Sequence, residues 1–323
     1  MSVTVCIDTE EDNWASWVEA GATCRNIEHL PELQELLARW GPRPTYLVNR
    51  PPLLSPASVA VLGEIAEVPG VEIGAHCHPW NTPPSTGAGQ ERSMMCNLPL
   101  EANKAKLQDI TARIESELGV RPVSFRAGRW GFGPTVAPAL AELGYLVDVS
   151  VTPFIDWTAD GGPDYSREPH RPYRFDPRRP FEPNAAGTMV ELPATVGFVR
   201  GEHRSRAAAR RWLARSPLRR LKVLGALDRL GVLRRRWLSP ESSSGEDMVA
   251  LAEACLRSGE PVLGLTFHSC TLLPGATPFV RDADDRRRFL GAIERFLRFC
   301  SERGLAFRTV AEVATPLLTS KAT

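Results

Sequence analysis

The chain has 323 residues, 43% hydrophobic and 24% charged, with a formal net charge of +1; this excludes a disordered or fibrous protein and provides no whole-molecule field for a nucleic-acid partner. No run of about 18 apolar residues is present, so no transmembrane segment is expected, and MSVTVCID lacks the regions of a secretory leader. Seven scattered cysteines (6, 24, 77, 96, 255, 270, 300) with no C-x-x-C pair fit reduced thiols and a cytoplasmic location.

SVTVCID reads as a short buried strand that ends in the acidic cluster DTEED, Asp8 to Asp12. LPELQELLARWG (30–41) has helical apolar spacing and a closing glycine, PTYLVN (44–49) is strand-like, and SPASVAVLGEIAEVPG (55–70) is a helix with Ser55 as its cap. VEIGAH is the next strand, and LEANKAKLQDITARIESELG (100–119) is the clearest amphipathic helix. PVSFRAG, then PTVAPALAELGY (134–145), then LVDVSVTP continue the strand, helix, strand alternation. A long Pro/Gly/Arg-rich loop (158–188) precedes VELPATVGFV, read as one strand; a loop of this length is usually functional. Residues 201–240 hold 12 Lys/Arg against 2 Asp/Glu, with Leu213, Leu218, Leu221, Leu224, Leu227 and Leu230 recurring about every three positions. This predicts a basic helical insertion, extending to about 255, that buries leucines and turns arginines outward. Arginines lining a cleft would recruit an anionic substrate; otherwise they are surface charge. A capped helix within SPESSSGEDMVALAEACLRSG, the strand VLGLTFHS and the amphipathic helix RDADDRRRFLGAIERFLRFCSERG finish the pattern. The order implies an α/β protein with a parallel sheet in a single domain, 1–323; periodicity alone leaves an open sheet and a closed barrel as alternatives.

Reactive side chains recur at the predicted strand ends, which gather on one face of a parallel α/β protein. His76 and His78, two apart in EIGAHCHPWNTPP, share one face of an extended segment and can converge on one ion. A metal site needs a carboxylate as well: Glu10, Glu11 or Asp12 can supply it, and alternation places Glu10 on the face of Asp8. Arg126 and Arg129 in FRAGRWGFG and His268 in TFHS end two further strands. A metal with two imidazoles and a carboxylate, a free carboxylate, an arginine to keep it ionised and a separate histidine make up the inventory of metal-assisted hydrolysis.

The succession DTE, HCHPWN, FRAGRWG, DW and TFHS resembles the five motifs of the NodB-type polysaccharide deacetylases, carbohydrate esterase family 4, and the HxHPWN form resembles the WalW-like subgroup. The resemblance spans residues 5 to about 313. It implies a distorted (β/α)7 barrel and one divalent ion, usually zinc. It further implies Glu10, His76 and His78 as metal ligands, Asp8 as general base paired with Arg126, and His268 as general acid supported by Asp156 and Trp157. The Gly128–Gly131 turn would lend a backbone N–H to the oxyanion. Trp80, Asn81, Arg129, Trp130 and Trp157, in these same motifs, are the expected substrate contacts. The chain departs from the common pattern in its His-x-His spacing, in Thr9 where a second aspartate is usual, and in a third motif without proline-tyrosine. With no leader, a cytoplasmic N-acyl sugar or glycosylated small molecule is the expected substrate. A non-sugar amide and a non-catalytic binding barrel are the alternatives.

Overall fold

The computed structural model describes residues 1–14, 17, 21–87, 89–216 and 223–319. Its elements run β1 (Ser2–Thr9), α1 (Leu30–Ala38), β2 (Pro44–Val48), α2 (Pro56–Ala66), β3 (Glu72–Cys77), α3 (Leu100–Leu118), β4 (Ser124–Ala127), α4 (Ala137–Glu142), β5 (Val147–Asp148), β6 (Tyr173–Phe175) and β7 (Met189–Glu191). They continue through β8 (Val196–Phe198), α5 (His203–Arg215), α6 (Val223–Arg229), β9 (Arg235–Trp237), α7 (Gly245–Arg257), β10 (Val262–His268), α8 (Ala283–Glu302), β11 (Ala306–Phe307) and α9 (Val310–Thr319).

Seven strands lie parallel in the order β10-β1-β2-β3-β4-β5-β7, with β6 antiparallel on the outer edge of β7. From Val3 onward β1 is buried on both faces, which is why its sequence is nearly continuously apolar rather than alternating. The barrel closes through single backbone bonds instead of a ladder: Ala194 N–H donates to Val151 O (2.9 Å), Leu238 N–H to Thr195 O (2.9 Å) and Thr266 N–H to Leu238 O (3.0 Å). The fold is thus a distorted α/β barrel whose seam is irregular between β7 and β10.

Helix boundaries follow local chemistry. Ser55 accepts the Ser58 amide and caps α2, and Gly119, at φ 67°, stops α3 in the left-handed region that glycine tolerates. Two expectations are corrected. The segment 190–199 is not one strand: Pro193 cannot donate to a ladder, and the chain divides there into β7 in the barrel and β8, which pairs antiparallel with β9 in a separate two-stranded sheet. The leucine row of 201–240 is not one buried stripe. Leu213 is buried, Leu224 and Leu227 are half-buried and Leu230 is exposed; Leu218 and Leu221 lie outside the described residues. The stretch to 255 also contains β9 and α7, and α7 packs on α8, so it is not purely helical.

Candidate metal and proton-transfer site

Sheet register assembles the site. Asp8 is the Cα partner of His268 across β1 and β10, and His76 is the partner of Arg126 across β3 and β4. Four side chains from distant parts of the sequence therefore meet at the C-terminal rim of adjacent strands.

Glu10, His76 and His78 form a buried group that could hold a metal ion. His76 Nε2 and His78 Nε2 are 2.8 Å apart, and Glu10 Oε2 lies 3.3 Å and 3.2 Å from them. His76 Nδ1 sits 2.9 Å from the Arg126 carbonyl oxygen. That carbonyl can only accept, so Nδ1 carries the proton and Nε2 turns a lone pair inward. Glu11 Oε1 lies 3.6 Å from His78 Nδ1 and favours the same tautomer there. Three acceptors then face one another without a hydrogen between them, an arrangement that is repulsive alone and suited to a cation.

Of the three candidate ligands Glu10, Glu11 and Asp12, Glu10 points into this group, whereas the other two build its frame. Glu11 accepts from Asn49 Nδ2 (2.5 Å) and Asn81 Nδ2 (2.9 Å). Burial pushes the Glu11 carboxyl up, but His78 and Asn49 outweigh it and hold it down to about 2. Asp12 accepts from Thr23 Oγ1 and from the Arg25 and Asn26 amides. The two-residue histidine spacing needs room beside β4. A Cβ on Gly128 would overlap His78 Cδ2 and stand 2.8 Å from the Cys77 carbonyl oxygen, so Gly128 is what admits the second imidazole.

Asp8 is buried and bonds Arg126 Nη1 at 2.5 Å. Burial raises its carboxyl, and Arg126, with the neighbouring histidines, more than reverses this, leaving it below the usual carboxylate range. Arg126 is fixed in turn by Thr266 Oγ1 (2.7 Å) and Val149 O (3.1 Å). His268 Nε2 lies 3.5 Å from Asp8 Oδ2, and its Nδ1 lies 3.0 Å from Glu241 Oε2. Burial opposes charge on His268; Glu241, Glu10 and Asp8 outweigh it and push its pKa up to about 10.

Glu241 corrects an expectation. The group behind His268 is not Asp156, which is exposed and spends Oδ1 on the backbone and hydroxyl of Thr158. Glu241 also accepts from the His268 amide (2.9 Å) and from Thr271 Oγ1 (2.7 Å). It escaped the sequence reading because it sits in a serine-rich turn with no motif, 27 positions before its partner.

A cavity of about 360 Å³ opens above these groups. Six of the eight tryptophans line it: Trp14, Trp17, Trp80, Trp130, Trp157 and Trp237. Trp80 stacks on His78 (4.1 Å between centroids), Trp14 meets His268 edge-on (5.0 Å) and Trp237 leans on Trp130 (5.0 Å). Trp80, Arg129, Trp130 and Trp157 thus reach the cleft as expected, with Arg129 also lying over the Trp17 ring. Asn81 does not: it is buried, and its side-chain amide serves Glu11. None of the described arginines of 201–240 lines the cavity, which removes the expectation that they recruit an anionic substrate there; Arg219 and Arg220 lie outside the described residues.

No protein-family model and no curated protein matches the chain. Solved structures do. A structure described as a polysaccharide deacetylase from Mycobacterium smegmatis superposes over 100% of this chain and 93% of its own, with a TM-score of 0.56 and 16% identity. Two GH57 branching enzymes, from Thermococcus kodakaraensis and Pyrococcus horikoshii, give TM-scores of 0.54 and 0.52 at 11% and 10% identity, each over 100% of this chain and 72% and 71% of their own. At such identities the likeness is one of fold. Because these neighbours carry different chemistries, the reaction must be argued from the site.

Proposed function

We propose that the protein is a metal-dependent hydrolase that removes an acyl group, acetyl in the simplest case, from an N-acyl sugar or a glycosylated small molecule. The observation that carries this reading is the three-acceptor group Glu10/His76/His78 beside the pairs Asp8–Arg126 and His268–Glu241, with Asp8 and His268 themselves 3.5 Å apart. The polysaccharide-deacetylase fold supports it, and the HCHPWN motif favours the WalW-like subgroup.

Glu10, His76 and His78 would hold one divalent ion, with zinc best suited to two imidazoles and a carboxylate, and such an ion supplies Lewis acidity toward a carbonyl oxygen and lowers the pKa of bound water. The chain's own residues account for the proton traffic. Asp8, kept ionised by Arg126, accepts the proton of the attacking water. His268, kept protonated by Glu241, delivers a proton to the departing amine. The carboxyl held low and the imidazole held high give base and acid their working forms at neutral pH. In the turn after β4 the amides of Ala127 and Gly131 are spent on Ser150 Oγ and Gly128 O, which leaves those of Gly128, Arg129 and Trp130 as candidates for the oxyanion N–H. The tryptophan walls offer flat faces to a sugar ring. Arg129 is the one Lys or Arg among the described residues lining the cavity, which supports an uncharged glycoside over a nucleotide-linked sugar.

The test is metal content of the purified protein together with carboxylate release from a panel of free, glycosidic and nucleotide-linked N-acetyl sugars. Stoichiometric metal and acetate release from uncharged sugars is expected. A metal-free protein that hydrolyses the panel at full rate, or a metal-loaded one that releases nothing from any member, overturns the reading.

A further inference from the structure

The charge of this chain is unevenly divided. Residues 201–240 hold 12 of the 39 Lys and Arg but 2 of the 38 Asp and Glu, leaving 27 against 36 for the remainder. Helix α5 alone, HRSRAAARRWLAR, carries five arginines and no acidic residue. At about 100° per residue, Arg204, Ser205, Ala208, Ala209, Trp212 and Arg215 fall on one arc of the helix, and all six are exposed. His203, Ala207 and Leu213 occupy the opposite, buried side. Small residues on the exposed arc leave the indole standing clear: Trp212 is 65% exposed, whereas the other seven tryptophans are half-buried. On the neighbouring helix α6 and the turn after it, Leu230 is 69% and Val232 38% exposed, and α5 packs on α6.

We propose that the outward face of α5, with the apolar turn after α6, docks the protein on an anionic lipid surface. An exposed indole beside Arg204 and Arg215, with an exposed leucine on the adjoining turn, matches a headgroup region, where aromatic and aliphatic side chains enter the interface and guanidinium groups meet phosphate. Nucleic acid would use the same charge but has no place for Leu230 and Val232. Docking of this kind needs no membrane-spanning helix, and none of the described helices is long and apolar enough for that. It is independent of the hydrolytic site, whose cavity these residues do not line.

The full chain is sedimented with vesicles of phosphatidylglycerol and phosphatidylcholine, and with phosphatidylcholine alone. Binding to the anionic vesicles is expected, weakening as salt rises from low to physiological strength. Arg204→Gln and Arg215→Gln should each lower the partition coefficient roughly fivefold, and Trp212→Ala and Leu230→Ser should each lower it severalfold at constant charge. Circular dichroism shows that the variants fold. No sedimentation with anionic vesicles overturns the proposal, as does binding that Trp212→Ala and Leu230→Ser leave unchanged. Capture of a single-stranded oligonucleotide in place of vesicles would assign the face to nucleic acid and equally overturn it.

Discussion

Two carboxylate sites lie buried in the same barrel and are shifted in opposite directions. Asp8, on β1, shares its hydrogen bond with Arg126. Asp148 on β5 and Glu191 on β7 are register partners, both fully buried, and face each other without an arginine of their own. Asp148 accepts from Ser150 N (2.9 Å) and Oγ (2.7 Å), and Glu191 from the Val151 amide (3.0 Å). Burial pushes Asp148 up to about 6 and Glu191 well above the usual range, with Asp148 itself adding to the rise on Glu191. Burial penalises charge at both sites. The bonded cation decides the direction: Asp8 is held toward its ionised form, while Asp148 and Glu191 are pushed toward holding a proton beneath the β4 turn. Ser150, bonded to Asp148, also receives the Ala127 amide at the mouth of that turn, so the pair supports the Asp8 site next door.

The sharpest way to test this contrast is to make the same change at both places. Asp8→Asn removes a positioned proton acceptor and is expected to lower turnover by about 10²–10⁴-fold while metal content stays near the parent value; kcat and elemental analysis read both. It also leaves Arg126 buried without its partner, which should cost about 3–5 kcal/mol in urea unfolding. Asp148→Asn, by contrast, leaves no buried arginine without its partner, and a loss of stability as large as that of Asp8→Asn would break the comparison.

His76→Ala examines the other end of the Asp8 site. Removing one of three converging acceptors should strip most of the metal from the purified protein, and retention of stoichiometric metal would refute the ligand assignment. A smaller effect is expected at Glu241. It contributes most to the raised pKa of His268, whose acid form is lost above about 10; Glu241→Gln should move the alkaline limb of kcat/KM to lower pH and reduce the plateau about 10-fold to 100-fold. An unchanged limb would mean that His268 is not the acid, or that Glu241 does not tune it.

The smallest expected effect belongs to the Asp148–Glu191 pair, and its sign is distinctive. A carboxyl whose folded pKa is raised contributes stability that is complete below its unfolded value near 4 and declines as pH rises through the folded value. The parent should therefore lose stability from roughly pH 4 upward through about 6, where Asp148 titrates. Glu191→Gln should flatten this slope and gain about 1–3 kcal/mol at alkaline pH. Chemical denaturation across a pH series measures it, and a slope identical to the parent's would show that the pair does not share a proton.

Much of this molecule was legible before folding was considered. The period of apolar residues, Ser55 and Gly119 located the helices because caps and amphipathic faces are local properties of the chain. Asp8, His76, Arg126 and His268 could be picked out because each closes a buried strand and parallel strands end on one face. Trp80, Arg129, Trp130 and Trp157 travelled with those motifs into the cleft.

Tertiary structure decided the rest, and always where contacts join residues far apart in sequence. It chose Glu10 over Glu11 and Asp12, because only Glu10 Oε2 reaches the two histidines while the others are committed to asparagines and the loop after β1. It replaced Asp156 by Glu241 and withdrew Asn81 from the cleft. It divided 190–199 between two sheets, which brought the β8–β9 pair, and with it Trp237, across to Trp130. Periodicity reports which side of an element is apolar; it does not report which distant side chain arrives opposite a given charge. That partner is set by register and by the irregular seam of the barrel, and in a buried site it is the partner that settles whether a group is a base, an acid or a brace.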